Sequence, residues 1–523
     1  MDRRTFLRRS ASAATLPVVI NGLHVTAYGR SPMLDALVAA ECEDRVLVLV
    51  QLNGGNDGLN TLIPLDQYGA YRNARSNIAI EEAKALKLTD ASGLHPQMTG
   101  LSQMYNNGLV RVVQAVGYPT PNYSHFRSTD IWLSASDSEE VISTGWMGRY
   151  LDTAYPGFPD GYPNATMPDP LAIQIGSVIS PGFEGARANM GMAFTDPTTY
   201  FNITNQNIPP GVGRRAGTEL TFIREVGQQI EKFATPVKNA AARAKNKSTL
   251  YPAARQNPLA DQLKIVAQLI AGGLRTRIYI VSQNGYDTHS YQLQGGPGNP
   301  VPHGTLLDQL SVAVNAFQDD LRLLGVQDRV VGMTFSEFGR RIKSNSSGGT
   351  DHGAAAPVFL FGSNVKSGIL GSNPVIPGTV DVEDNIPMQF DFRSIYATIL
   401  RDWFCVDAAT VTNVLQRDFG RLDLFNGATT SVFEDVLEGG GALAVSPNPA
   451  SAHASVGFTA PAGQVTVSLF DATGRRIATA DERMHSGMSA SLVIDVSSLP
   501  TGLYYVHLAH ARGATVRPLI VDR

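Results

Sequence analysis

Cysteine is nearly absent: the 523-residue chain has two, Cys42 and Cys405. That excludes a disulfide framework and a Cys-rich zinc site. The two flank the core at its start and end, so one closing disulfide stays open in an oxidising compartment; the reading adopted is two separate buried thiols. Charge is sparse, with 17% Asp, Glu, Lys and Arg and a net charge of −4. A nucleic-acid binder would carry a basic face, so no nucleic-acid partner is expected. No apolar run is long enough for a membrane helix, so no transmembrane segment is expected in the mature chain. Repeats and low-complexity tracts are missing from the core. What is present is 43% hydrophobic residues, and once both ends are set aside roughly 400 residues remain, ample for one large core.

Five segments carry that core. Arg45 to Leu52 is a continuous apolar strand of the kind buried in parallel sheets, and it runs into the glycine-rich turn Asn53-Gly54-Gly55-Asn56-Asp57-Gly58. Leu109 to Val116 leads to Asn122-Tyr123-Ser124-His125-Phe126, and Arg277 to Ser282 leads to Tyr286-Asp287-Thr288-His289. Val330 to Phe335 ends in Ser336-Glu337-Phe338-Gly339-Arg340, then crosses a polar loop to Thr350-Asp351-His352-Gly353 and a fifth apolar run, Pro357 to Gly362. Helical spacing near 3.6 occupies 217–234, 259–275 and 306–324. Strands that each end in a loop rich in Asp, Asn, Ser or His predict a doubly wound α/β sheet with one functional edge. Residues 150–215, rich in Pro, Gly and Asn, are expected to be an insertion covering that edge.

Asp351 and His352 are the most informative pair. An adjacent carboxylate and imidazole at such an edge can bind a divalent metal or move a proton; the alternative is a solvated turn. Asp287 and His289, two apart on an extended segment, point to the same side. His303, before the helix at Leu306, either joins them or sits at a helix start. Asp57 has a turn-residue alternative before Gly58. Ser124 is a candidate nucleophile with Ser128 and Thr129 as competitors, and a helix N-cap is the alternative for each. Arg340 can clamp an anionic oxygen; otherwise Glu337 and Arg340 form a structural ion pair.

The ordered succession Asn-Gly-Gly-Asn-Asp-Gly-Leu-Asn, Ser-His-Phe, Tyr-Asp-Thr-His, Ser-Glu-Phe-Gly-Arg and Gly-Thr-Asp-His-Gly, closed by Asp391-Phe392-Arg393-Ser394-Ile395-Tyr396, resembles the bacterial domain of unknown function 1501 family over about 45–425. That family belongs with the alkaline phosphatase and sulfatase superfamily. The resemblance implies an alkaline-phosphatase-like α/β/α sandwich with a mostly parallel sheet. It also implies a divalent cation (calcium, magnesium or zinc) held by Asn53, Asp57, Asp287, His289, Asp351 and His352. Catalytic roles would fall to Ser124, His125, Glu337 and Arg340. Asn53 stands where an Asp is usual, which suits calcium or magnesium better than zinc. No histidine follows His352 before His453, which favours a single or unusual metal site. The expected function is metal-dependent hydrolysis of phosphate or sulfate esters, on a small-molecule or polymer-borne anionic ester. The alternative is a non-catalytic surface or periplasmic binding or scaffold protein on the same fold.

The two ends read as addresses. Arg3-Arg4 and Arg8-Arg9 before the apolar stretch Ala11 to Ile20 resemble a twin-arginine export signal over residues 1–30, leaving a core of 31–435. Beyond a glycine-rich linker, 436–445, alternating strands at 465–470, 491–496 and 503–508 predict a small antiparallel sandwich. With its Pro-Asn-Pro opening, Asp-Ala-Thr-Gly-Arg turn and Leu-Pro-Thr-Gly-Leu-Tyr-Tyr segment, the stretch 446–523 resembles a type IX secretion C-terminal sorting domain. The expected partners are the export and type IX machinery. The expected location is the periplasm in transit, then the cell surface or medium.

Overall fold

The computed structural model describes residues 16–20, 23–27, 42–197, 232–426 apart from 298, and 443–522 apart from 447, 460–462, 472–474, 486–488 and 511–512. The chain divides into a larger unit, Ala39–Asn426, and a smaller one formed by Met1–Val38 with Gly427–Arg523.

The larger unit is built on a nine-stranded sheet. Its strands are β1 (Val46–Asn53), β2 (Val110–Gly117), β3 (Ala172–Ile175), β4 (Gly191–Phe194), β5 (Ile278–Asn284) and β6 (Val330–Phe335). After a separate two-stranded ribbon, β7 (Arg340–Ser344) and β8 (Thr350–His352), the sheet resumes with β9 (Ala356–Phe361), β10 (Gly368–Leu370) and β11 (Phe390–Asp391). The order is β10-β2-β9-β6-β1-β5-β3-β4, with β11 also on β2. Every pairing is parallel except those of β9, which is antiparallel to both β2 and β6. Val46–Val50, Ile278–Val281 and all of β6 are buried, as continuous apolar runs between two helical layers require. The helices that matter below are α1 (His125–Ser134), α2 (Trp146–Ala154), α3 (Pro258–Ala271), α4 (His303–Leu324) and α5 (Phe392–Thr398).

Three expectations change. Residues 150–215 are not merely a cover: Ala172–Ile175 and Gly191–Phe194 extend the sheet beyond β5, while 198–215 lies outside the described residues, as does most of the helix expected at 217–234. The cysteines do not stay apart. Cys42 and Cys405 form a disulfide with Cα atoms 6.1 Å apart. The sequence gives no distance between positions 363 residues apart; Arg45 supplies it by donating to the carbonyls of Asp402 and Trp403, while Trp403 Nε1 donates to Val46 O. Within the expected leader, Leu16–Ile20 and Leu23–Ala27 pair antiparallel, and the rest of 1–30 lies outside the described residues.

In the smaller unit, β12 (Leu443–Ser446), β13 (His453–Thr459), β14 (Gly463–Asp471), β15 (Arg476–His485), β16 (Ser489–Asp495), β17 (Gly502–His510) and β18 (Gly513–Val521) form two antiparallel sheets, β12-β13-β16 and β15-β14-β17-β18. Alternate residues point inward. Val456 and Ile494 from one sheet meet Val467, Leu469, Val506 and Leu519 from the other in a single apolar core. Among the described residues no helix is long and apolar enough to cross a membrane.

Candidate metal centre

The register of the sheet collects the loops. Asn284 pairs with Asn53 and Phe335 with Gln51, so β1, β5 and β6 end at one edge. The antiparallel strand β9 begins at that same edge, Ala356 beside Val116, so the segment entering it, Thr350–His352, arrives where the others depart. Helix α1, after β2, brings His125. The loops lie against one another: a Cβ on Gly54, which has φ +123°, would sit 2.3 Å from the Asp287 backbone nitrogen, so no larger residue fits.

At the centre is Asp287 Oδ1. His289 Nε2 lies 3.3 Å from it, and His125 Nε2 and His352 Nε2 each 3.6 Å. The Nε2 atoms of His289 and His352 are 2.8 Å apart. Each ring is oriented through its other nitrogen. His125 Nδ1 is 2.7 Å from Glu337 Oε1, His289 Nδ1 is 3.1 Å from Asp351 Oδ1, and His352 Nδ1 is 2.8 Å from the Tyr123 carbonyl oxygen. A carbonyl and two carboxylates accept and do not donate, so all three Nδ1 atoms carry hydrogen. Each of the three Nε2 lone pairs therefore lies within 3.6 Å of the Asp287 carboxylate oxygen. Two such lone pairs cannot rest at 2.8 Å without a proton or a cation between them. His125, Asp287 and His352 form a possible metal site with ligand atoms mutually within 4.8 Å, and the contacts of His289 add a third imidazole.

The electrostatics are consistent with this grouping. The His352 imidazole, joined by the Arg340 guanidinium against the effect of partial burial, holds the Asp287 carboxyl well below the usual carboxylate range. The hydrogen bond His125 donates to Glu337 raises its pKa above that of an ordinary histidine. Burial, reinforced by the nearby Arg340 charge, lowers His289. Burial alone would raise Asp351, but hydrogen bonds from Asn345 and His289 outweigh it and leave the carboxyl depressed.

Of the residues expected from sequence, the structure brings together His125, Asp287, His289, Glu337, Arg340, Asp351 and His352, in roles that differ from those expected. Glu337 and Asp351 face the Nδ1 sides of rings, and Glu337 Oε1 also accepts from Gly54 N at 2.9 Å. Arg340 is fully buried and points at protein. It donates to the carbonyls of Gly55, Thr350, Gly54 and Tyr286 and to Asp287 Oδ1 at 2.8 Å. It pairs with Asp287, and no Arg340–Glu337 hydrogen bond forms.

Two expected ligands do not join the group. Asn53 Nδ2 donates to Asn284 Oδ1 at 2.7 Å. Asp57 is buried with both oxygens on Arg75 Nη1, at 2.9 and 2.8 Å, and accepts from Gln292 Nε2 at 2.7 Å. Burial opposes its ionisation, and the adjacent Arg75 charge overcomes that and lowers its pKa. His303 is a buried helix-start histidine, its Nε2 2.9 Å from Asn56 Oδ1. Ser124 stands exposed before α1 with a hydroxyl that makes no capping bond. Ser128 is buried against the Tyr118 hydroxyl and the Glu337 carbonyl. The Tyr123 carbonyl and Arg75 carry no sequence signal, because a main-chain acceptor and a buried partner reveal themselves only through packing.

A mostly parallel α/β sheet with a His/Asp cluster at the carboxyl edge of its strands defines the class. Residues 224–432 match the family described as Protein of unknown function (DUF1501), and residues 444–522 match the Secretion system C-terminal sorting domain. That tail marks an exported protein, destined for the cell surface or release. No curated protein matches the chain. Among solved structures, a protein in the alkaline phosphatase superfamily from Vibrio parahaemolyticus is 11% identical, with a TM-score of 0.33, over 100% of this chain and 92% of that one. A putative sulfatase from Bacteroides fragilis is 9% identical, with a TM-score of 0.30, over 88% and 90%. Dimeric latent PorU from Porphyromonas gingivalis is 20% identical with a TM-score of 0.14; the match spans 16% of this chain and only 9% of that one.

Proposed function

We propose that this exported protein is a metal-dependent hydrolase of phosphate or sulfate esters, acting on a small or polymer-borne anionic ester. One observation carries the proposal: three imidazole Nε2 atoms lie 3.3–3.6 Å from Asp287 Oδ1, each ring fixed by an acceptor on its far side. Such outer acceptors are the usual support of a metal-bound histidine. Three nitrogens and one oxygen suit zinc or another transition ion better than calcium or magnesium, which prefer oxygen donors. His125, His289, His352 and Asp287 would hold the cation, which supplies Lewis-acid polarisation of an ester oxygen. Glu337, Asp351 and the Tyr123 carbonyl aim the rings, and Arg340 aims Asp287. Ser124, adjacent to His125 and with its hydroxyl uncommitted, is the candidate nucleophile. The ester class rests on the motif resemblance, and the twin-arginine route on the paired arginines at the start of the chain.

A second reading, a protein that holds an anionic ligand without turnover, is favoured by Arg340. Its guanidinium is fully buried on backbone carbonyls and Asp287, so it is turned away from any charge that develops on an ester. The test is metal content of the full chain purified without chelators, beside Asp287→Ala and His352→Ala, followed by aryl phosphate and aryl sulfate assays. A stoichiometric ion lost in both variants, with metal-dependent turnover lost in Ser124→Ala, supports the hydrolase. Bound metal with anion binding and no turnover of either ester class selects the second reading. Absence of metal after supplementation removes the hydrolase and leaves the second reading.

A further inference from the structure

Gln292 lies outside the cluster and is buried, 1% exposed. Its Oε1 accepts from Thr288 Oγ1 and from Thr350 Oγ1, each at 3.1 Å. Thr288 sits between Asp287 and His289, and Thr350 immediately precedes Asp351 and His352. Its Nε2 donates to Asp57 Oδ2 at 2.7 Å. Its backbone N–H donates to Gly348 O at 2.8 Å, and its carbonyl accepts from His303 N at 2.9 Å. A carboxylate cannot donate, so the amide has one orientation: nitrogen toward Asp57, oxygen toward the two hydroxyls. The Asp57–Arg75 ion pair, held through Arg75 on the carbonyls of Arg341 and Ile342 and on Asn60 Oδ1, fixes the direction of the amide.

We infer that Gln292 is a positioning residue that registers the two histidine-bearing segments, 287–289 and 350–352, so that the Nε2 atoms of His289 and His352 converge. This rests on the metal-centre reading. Without the amide the two threonines keep one direct bond, Thr350 N to Thr288 O at 3.1 Å, beside the His289–Asp351 contact and the bonds of Arg340 to Asp287 and Thr350. The rings would still be present but no longer aimed at one point, and outer-shell losses of this kind weaken metal binding by about 10- to 100-fold.

The experiment is zinc affinity of the full chain by competition with a chromogenic chelator, alongside the thermal midpoint of the metal-free protein. The variants are Gln292→Met, the pair Thr288→Val/Thr350→Val, and the pair Thr288→Ser/Thr350→Ser. The valine pair keeps approximate shape and removes both hydroxyls; the serine pair keeps the hydroxyls. The expected result is zinc binding weakened about 10- to 100-fold in the valine pair and in Gln292→Met, with the serine pair close to wild type. A valine pair that binds zinc as wild type does, with only a lower midpoint, overturns the positioning role and leaves the metal centre standing. Wild type that takes up no zinc removes the metal centre and this inference with it. If Gln292→Met does not fold, the valine and serine pairs decide.

Discussion

Removal of the cation is the perturbation whose size follows most directly from the structure. An ion that binds only the folded state stabilises it by RT ln(1 + [L]/Kd), about 2.7 kcal/mol at a hundredfold excess over Kd. The larger unit spans Ala39–Asn426; at roughly 2.1 cal/mol/K per residue its unfolding entropy near the midpoint is about 0.8 kcal/mol/K. The transition of that unit should therefore rise by about 3 °C when zinc is added to chelated protein. The true shift should exceed this. In the metal-free protein the Nε2 atoms of His289 and His352, 2.8 Å apart, must share a proton or separate, and the cation relieves that conflict. Differential scanning calorimetry of the full chain with and without excess zinc reads the shift. Asp287→Ala and His352→Ala, which remove one candidate ligand atom each, should abolish it. A midpoint unchanged by zinc, manganese, magnesium and calcium alike would refute the idea that these four side chains form a cation site.

Three further predictions concern the frame around the site. Burial lowers His303 to about 3 and His95 to about 4 from an ordinary 6.5. The unfolded chain then binds protons that the folded one refuses, and stability that is complete above about pH 6.5 is lost as pH falls toward 3, by several kcal/mol in total. Urea midpoints measured with chelator present, so that metal release does not contribute, should fall across that window. An unchanged slope in His303→Gln would contradict the assignment. Reducing the Cys42–Cys405 disulfide, which closes a separation of 363 residues, should cost about 2–5 kcal/mol; equal denaturation midpoints for wild type and the Cys42→Ser/Cys405→Ser variant would argue against it. Asp57→Asn leaves the Arg75 charge buried without its counter-ion and should destabilise the protein by about 3–5 kcal/mol in chemical denaturation; a loss below about 1 kcal/mol would mean the pair is not the buried anchor described here.

The sequence by itself determined the strands and the chemistry available at their ends. Val46–Val50, Ile278–Val281 and Val330–Met333 are apolar on both faces, which only a sheet covered on both sides accommodates. The period-two alternation after residue 450 likewise required a two-layer antiparallel unit. The pairs Asp287/His289 and Asp351/His352 were legible as ligand-type residues, and His125 as a catalytic one, in loops that follow strands.

Tertiary structure decided which acid faces the histidines. Asp57 and Asp287 look alike in sequence, each in a glycine-flanked turn after an apolar strand. Asp57 is neutralised by Arg75, 18 residues on, whereas Asp287 is left half exposed among imidazoles. Arg340 changed from substrate clamp to internal brace because four carbonyls from three loops surround its guanidinium. The antiparallel sense of β9, the disulfide and the role of Gln292 follow the same rule. Ring tautomers are set by acceptors 62 to 229 residues away, and the direction of the Gln292 amide by Asp57, 235 residues away. Periodicity and composition record which residue types are present, but the distances between them exist only once the sheet has brought its loops to one edge.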